Sequence, residues 1–410
     1  EDADAIVINT CCFIHDAKEE SVNTILEMAE YKKTGKCKAL IVTGCMAQRY
    51  KEEITQEIPE VDAVLGTTSY GDIVKALNEA QAGHVFQEFR DINELPEDSG
   101  RRVLTTGGHF GYLKIAEGCD KHCTYCIIPS LRGKFRSVPE ERLLAQAEYM
   151  ASQGVKELIL VAQETTVYGT DLYGKKTLHI LLKKLCQIKG IRWIRVLYCY
   201  PEEIYDELIQ VMKEEKKICN YLDLPIQHAS DRILKRMGRR TTRKQLEDII
   251  AKLRREIPDI VLRTSLITGF PGETQEDHEE LMEFVDEMEF DRLGVFTYSP
   301  EEGTPAETME GQVPEEVKEE RRDELMSLQQ EISLEKGDER IGQELLVMIE
   351  GKVSGESAYI ARTYADAPKV DGYIFVQTGE LLVTGDFARV RVTGALEYDL
   401  IGELADEYTE

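Results

Sequence analysis

Apolar residues recur along this chain in three rhythms, and each predicts a different architecture. Over residues 1–82 short apolar runs at 5–8, 39–43 and 61–65 read as strands. Between and after them, near 17–33, 50–57 and 70–80, apolar positions fall at helical spacing. That alternation predicts a small parallel α/β domain. A stretch over 84–111, with Gly, Pro and charge but little periodicity, reads as a linker. From residue 112 the alternation restarts, with strands near 112–116, 157–161, 192–197, 221–224, 261–266 and 293–297. Helical patterns follow them near 139–152, 176–187, 202–213, 242–256, 275–287 and 314–335. Six βα units are too few for a closed eight-fold barrel, so a six-stranded, partly open (partial TIM) barrel is expected. The last segment alternates with period two over 344–353, 359–364, 373–376 and 386–393, punctuated by glycines. It predicts a small antiparallel β-barrel of about five strands, OB-like. The expected division is 1–83 for the first domain, 84–110 for the linker, 111–336 for the barrel and 338–404 for the β-barrel.

Special residues cluster where such a barrel carries its chemistry, on loops after the strands. A cysteine-bearing loop follows the first strand, and Gln163, Glu164 and Tyr168 follow the second. Tyr198 to Pro201 close the third, Gln227 and His228 follow the fourth, Gly269 to Glu273 the fifth and Tyr298 the sixth.

Composition narrows the class. Over 410 residues, 42% hydrophobic and 31% charged content describes a globular protein able to build cores. No apolar run approaches the roughly 20 residues of a bilayer span, so no membrane partner is expected. The opening EDADAIVINT has no basic region or cleavage pattern of a signal peptide. With no initiator methionine and a strand almost at once, the chain reads as a fragment whose start lies upstream. Ten cysteines are too sparse for a disulfide scaffold, and clustered thiols need a reducing compartment, which makes the cytoplasm the expected location. The formal charge of −27, from 50 basic and 77 acidic residues, argues against nucleic acid as the main ligand and fits a basic protein partner.

The most specific chemistry lies in EGCDKHCTYCIIP, where Cys119, Cys123 and Cys126 offer three thiolates from one loop. A cubane iron–sulfur cluster normally takes four cysteines, so three leave one iron open for a substrate. The alternative is zinc, with His122 or a distant residue as fourth ligand. Structural zinc usually pairs two C-x2-C or Cys/His units, and no second pair exists here. In the first domain Cys11 and Cys45 each end a strand, where side chains of adjacent parallel strands meet. They could equally be ordinary buried thiols. Cys12 adjoins Cys11, and neighbouring side chains on a strand diverge. Cys186, Cys199 and Cys219 read as core, and Cys37 as a surface thiol.

The C-x3-C-x2-C run resembles the signature of the radical S-adenosylmethionine (SAM) enzymes. The order of α/β domain, partial barrel and β-barrel resembles the methylthiotransferases among them. The resemblance implies that Cys119, Cys123 and Cys126 hold a 4Fe–4S cluster whose open iron binds SAM. It also implies a second 4Fe–4S cluster on Cys11, Cys45 and a third cysteine upstream of Glu1. Gly269, Gly272 and Glu273 resemble the superfamily's glycine motif against the adenine of SAM, and Tyr125 matches a position that also touches adenine. Gln163 and Glu164 stand where relatives carry a Gly-Gly-Glu run for the SAM amino group, a run from which this sequence departs. Gln227 and Arg263 complete the expected SAM contacts, with strand-end capping as the other reading. No acid–base pair is expected.

Two branches share this architecture. One modifies a tRNA adenosine, the other an aspartate of small-subunit ribosomal protein S-twelve. Residues 338–410 resemble the TRAM module, often an RNA binder, yet hold 6 basic against 15 acidic residues, a net of −9. That surface repels phosphate and suits a Lys/Arg-rich protein. Residues 128–133 (IPSLRG), 364–368 (YADAP) and 398–402 (YDLIG) resemble the protein-modifying branch. The expected activity is therefore transfer of a methylthio group to the aspartate β-carbon, needing a low-potential electron donor and a sulfur source. A tRNA methylthiotransferase and a non-catalytic iron–sulfur binding protein are the alternatives.

Overall fold

The computed structural model describes residues 2–96 and 102–405; residue 1, residues 97–101 of the expected linker and the end 406–410 lie outside the described residues. The chain forms two compact units. The first comprises Glu1–Arg102, Glu117–Arg136 and Ser299–Met309; the second comprises Val103–Ala116, Ser137–Tyr298 and Glu310–Glu410. Compactness follows contacts in space, so these units cut across the contiguous division expected from the chain. The cysteine loop belongs by its contacts to the first unit.

In the first unit a parallel sheet runs in the order β1 (Ala5–Thr10), β2 (Ala39–Gly44), β3 (Ala63–Leu65) and β4 (Phe86–Glu88). Its helices include α1 (His15–Ala29), α2 (Cys45–Tyr50) and α3 (Ile73–Gln81). Ile8, Leu40, Val42 and Val64 pack on one face with Ile25 of α1 and Met46 of α2. Ile127 and Leu131, which flank the cysteine loop, join that same core. On the other face Ile41, Ala63 and Leu65 receive Ala76 of α3. Two expectations are corrected here. The stretch read as linker contributes β4, whose three residues are too short for any periodicity to register. Cys37 is buried, not a surface thiol, because its Sγ donates to the Ala39 carbonyl (3.3 Å) as the chain turns into β2.

The second unit begins with a six-stranded parallel sheet ordered β10–β9–β8–β7–β6–β5. Its strands are β5 (Phe110–Lys114), β6 (Glu157–Val161), β7 (Trp193–Val196), β8 (Ile218–Asp223), β9 (Val261–Thr268) and β10 (Arg292–Thr297). Helices α5 (Glu140–Ser152), α6 (Leu178–Cys186), α7 (Asp206–Glu214), α8 (Arg243–Glu256), α9 (Gln275–Met288) and α10 (Glu315–Asp338) alternate with them; α4, Ile128–Arg132, is the short helix after the cysteine loop. Thr242 and Thr274 close capping boxes on α8 and α9, satisfying N-terminal N–H groups that would otherwise lack partners. This is the six-unit partial barrel that the alternation predicts.

A closed five-stranded β-barrel follows, of β11 (Glu344–Lys352), β12 (Ala358–Arg362), β13 (Ile374–Gln377), β14 (Phe387–Ala395) and β15 (Leu400–Leu404). It departs from the antiparallel expectation at one seam, because β13 and β15 pair in parallel. An odd number of strands cannot close with every neighbour antiparallel.

Period-two alternation puts Phe110, Glu157, Ile159, Trp193, Tyr221 and Val261 on one face of the six-stranded sheet. That face packs against Met348, Ala365, Ala367 and Phe387 of the β-barrel region. Trp193 meets Phe387 edge-on with ring centroids 4.8 Å apart. Among these apolar groups lies a charged cluster without solvent contact. Arg195 Nε donates to Glu157 Oε1 (2.8 Å) and Arg362 Nη2 to Glu157 Oε2 (2.7 Å). Arg362 also reaches Glu350 (2.7 Å) and the Asp366 carbonyl (2.8 Å), and Arg195 the Tyr364 carbonyl (2.7 Å). Burial by itself would raise the Glu157 carboxyl, but Arg362 and Arg195 outweigh it and hold it below the usual range.

Two outcomes are expected. Arg362→Ala leaves Glu157 half-paired in a dry interior and destabilises the fold by about 3–5 kcal/mol, measured by denaturant unfolding. Glu157, Glu350 and Asp366 all have folded pKa values below their unfolded ones. Their stabilisation is present at neutral pH and is lost as pH falls through the folded values, below the usual carboxylate range. The melting temperature therefore drops on acidification, and Glu157→Gln flattens that dependence.

Candidate metal and cofactor site

Cys119, Cys123 and Cys126 lie on a loop closed on itself. Cys119 N–H donates to the Gly133 carbonyl (3.2 Å), Phe135 N–H to Asp120 Oδ1 (3.1 Å) and Cys126 N–H to the Cys123 carbonyl (3.1 Å). The closure demands glycine at 118. Its φ is +76°, and a Cβ there would lie 2.2 Å from the Lys134 carbonyl oxygen. Lys121 N–H points at Cys119 Sγ (3.4 Å), the kind of donor that supports a ligating sulfur. Burial first, with Cys123 and Cys119 adding, pushes the Cys126 thiol up to about 12 despite an opposing backbone hydrogen bond. Such thiols stay protonated until a metal takes the proton's place. Among the described residues no three His, Cys, Asp or Glu side chains gather as a single ion would require. Three cysteines on one loop are the donor set that a cubane with one open iron would take. His122 is exposed, lining with Cys119, Asp120 and Lys134 a surface groove of about 410 Å³.

In the same unit β1 and β2 pair in register, Thr10 opposite Gly44, so Cys11 and Cys45 follow directly opposed residues. Cys11 is exposed and Cys45 partly so, whereas Cys12 is fully buried in the core. Burial, then Cys45, push the Cys12 thiol up to about 11 against the pull of Arg49. Sequence reasoning did not give Arg132 a place in this site. From α4, Arg132 directs Nε (3.3 Å) and Nη2 (3.1 Å) at Cys45 Sγ, with Nη1 3.6 Å from Glu117. The loop that carries the three-cysteine motif thus also supplies two N–H donors to Cys45, which suits a ligating thiolate. The signal was present as a lone arginine six residues past Cys126, but spacing says nothing about where a long side chain reaches. Tyr125 is half-buried between Cys123 and Cys126.

In the second unit the expected SAM residues sit at strand ends, in differing states. Gly269 (φ +71°) faces α10, where a Cβ would lie 2.2 Å from Lys318 Cγ. Lys318 is buried and bonds the Tyr298 carbonyl (2.8 Å), so the turn is clamped from outside. Gly272 N–H donates to the Gly311 carbonyl (2.7 Å). Glu273 turns inward: its carboxylate accepts from Phe270 N–H (3.1 Å) and Arg321 Nη1 (2.9 Å), with His228 Nε2 3.6 Å away. Burial opposes ionisation there, and His228 and Arg321 overcome it, lowering the carboxyl. Glu273 therefore holds the turn's shape from inside. Glu164 is buried and accepts from Thr166 through both backbone N–H (3.0 Å) and hydroxyl, folding the loop after β6; Gln163 precedes it, half-buried. Gln227 sits at φ +73°, tied to β9 by its N–H to the Ser265 carbonyl (3.0 Å). Arg263 is engaged by acids: Nη1 donates to Asp223 Oδ1 (2.7 Å) and Nε lies 3.4 Å from Asp371.

Comparisons with known proteins agree with this architecture. Residues 113–285 match the model of the radical SAM superfamily, 1–66 that of the uncharacterized protein family UPF0004 and 341–405 that of the TRAM domain. The chain is 64% identical to a protein of Lachnoclostridium phytofermentans named ribosomal protein uS12 methylthiotransferase RimO, over 98% of this chain and 91% of that one. It is 50% identical to a protein of that name from Clostridium botulinum, over 100% and 92%, and 51% identical to one from Clostridium perfringens, over 99% and 91%. Among solved structures, the radical S-adenosylmethionine methyltransferase TsrM of Kitasatospora setae is similar in fold, with a TM-score of 0.55 and 12% identity over 93% of this chain and 72% of that one. With three domain models in this order and such identity over nearly its whole length, the chain belongs to the family of ribosomal protein uS12 methylthiotransferases, within the radical SAM superfamily.

Proposed function

We propose that this methylthiotransferase works through Cys119, Cys123 and Cys126 as the three ligands of a 4Fe–4S cluster, and that Cys11 and Cys45 serve a second one. The observation that carries the reading is the closed loop, which holds Cys119, Cys123 and Cys126 on one short segment. When bound, the cluster and SAM supply the 5′-deoxyadenosyl radical that removes hydrogen from an unactivated carbon, which side-chain acids and bases cannot do.

The chain's own residues bind, orient and exclude water. Lys121 N–H and the closure at Gly118 hold the first ligand. Arg132 holds Cys45 with charge-assisted hydrogen bonds. The turn Gly269–Gly272 presents backbone to SAM while Glu273 and Lys318 keep its shape, and Gln163 and Gln227 on the neighbouring strand-end loops supply polar contacts. The substrate is an aspartate of uS12, modified at its β-carbon. An acidic chain of charge −27 favours that basic partner over RNA. A low-potential electron carrier and a sulfur source complete the reaction. No helix among the described residues is long and apolar enough to cross a membrane, and we place the enzyme in the cytoplasm with its ribosomal substrate.

Reconstituted protein given SAM and reductant should release 5′-deoxyadenosine and add a methylthio group to uS12, seen by mass spectrometry. Cys119→Ala, Cys123→Ala and Cys126→Ala should each abolish both. A methylthio group found on tRNA, with uS12 unaltered, would overturn the assignment. Gly118→Ala, which forces the loop open, should weaken cluster retention about tenfold or more, read as iron per chain after gel filtration.

A further inference from the structure

The inner face of the six-stranded sheet is covered near the strand starts by the β-barrel region, but two large rings toward the strand ends, one on that face and one just past β7, are uncovered. Phe296 is 55% exposed and Tyr198 48%, whereas Tyr168, Tyr221, Phe270, Phe284 and Phe290 of the same unit are fully buried or nearly so. Phe296 shares its face of β10 with Arg292, which bonds Asp366 at the covered end. Between them Gly294 leaves the surface bare. A Cβ there would meet the Phe296 ring at 3.7 Å and Arg263 Nη2 at 4.0 Å. The β9–β10 register sets Arg292 opposite Arg263, Gly294 opposite Ser265 and Phe296 opposite Ile267. The ring thus stands four residues nearer the strand ends than Arg292, on an edge strand of the sheet.

Tyr198 follows β7 with φ +58°, an uncommon conformation for a bulky residue. Neighbours over-determine it. Its N–H donates to Asp223 Oδ2 (3.1 Å), and its carbonyl accepts from Thr165 N–H (3.1 Å) and Oγ1 (3.1 Å). Asp223 is fixed in turn by Arg263 (2.7 Å). Strain of this kind persists where surrounding structure enforces it, and it concentrates at functional sites. Those bonds hold Tyr198 at the end of β7 beside Asp223, which lies one strand over on β8 and opposite Arg263 of β9.

We propose that Tyr198 and Phe296 are the specificity-determining contacts for the protein substrate. The two rings grip the segment of uS12 that carries the target aspartate, at the strand ends where barrels of this kind do their chemistry. Asp223 and Arg263 act as positioning residues for Tyr198. Exposed aromatic rings give large contact area at low entropy cost and dominate binding energetics. They also accept the cationic side chains of a basic partner on their faces. The proposal rests on the uS12 reading above.

The test is steady-state kinetics with uS12 and SAM varied in turn. Tyr198→Ala and Phe296→Ala should each raise the KM for uS12 about tenfold, while the KM for SAM stays within about twofold. Tyr198→Phe, which keeps the ring, should resemble wild type. Asp223→Asn, which keeps an acceptor for Tyr198 N–H, should recover most of the uS12 affinity lost in Asp223→Ala. An equal rise in the KM for SAM would assign the rings to the cofactor and overturn the proposal. An unchanged KM for uS12 in both alanine variants would overturn it too. Phe296 lies on an edge strand, so its variant decides the matter should Tyr198→Ala fail to fold. Wild-type enzyme that leaves uS12 unmodified would instead sink the functional reading.

Discussion

Glu157 is the point on which the second unit turns. A carboxylate at the first position of β6 has no solvent contact and survives there because two guanidinium groups meet it, one from the next strand and one from the β-barrel. A charge can enter a dry interior only when it is paired and its remaining hydrogen-bonding positions are filled. Arg362 meets that condition only if the β-barrel stands at the strand starts, and Arg195 only if β6 and β7 keep their register, Ile159 opposite Arg195. Burying apolar groups alone would tolerate several placements of one element on the other. The charged cluster selects one.

With the strand starts occupied in this way, the other end of the sheet is left for chemistry. The loops after the strands are shaped largely by bonds to their own backbone: Glu273 to Phe270, Glu164 to Thr166, Tyr198 to Asp223. Each buried carboxylate at a strand end accepts N–H groups that a loop would otherwise leave unpaired. The first unit follows the same economy of partners around its cysteines. Asp120 and the Gly133 carbonyl close the loop, and Arg132 of that segment reaches Cys45.

Much of this was legible in the chain. Strands with buried faces and helices with one apolar stripe announce themselves by period, and all six βα units lie within a few residues of their expected places. The three-cysteine spacing needs no fold to be read, because its ligands are close in sequence. Short or irregular pieces were not legible. β4 is three residues long inside a polar stretch, and Cys37 is buried by the turn that precedes β2 rather than by any pattern. The partners of Arg263 and Glu273 also come from distant parts of the chain, Asp371 for one and Arg321 for the other, and no spacing reveals them. Phe296 went unremarked because an apolar residue in a strand reads as core unless its neighbours are known.

What the sequence determined by itself is what depends on local order: the period of each element, the succession of three domain types, the number and spacing of thiols, the sign of the net charge. These follow from residues within a turn or two of one another. The tertiary structure alone decided which long side chains meet. That Arg132 lies on Cys45, that Arg362 of the β-barrel neutralises Glu157 of β6, and that Tyr198 and Phe296 remain exposed are facts of packing between residues far apart in the chain. A guanidinium at the end of a flexible stem can pair with any acid the fold brings near, and only the fold selects which.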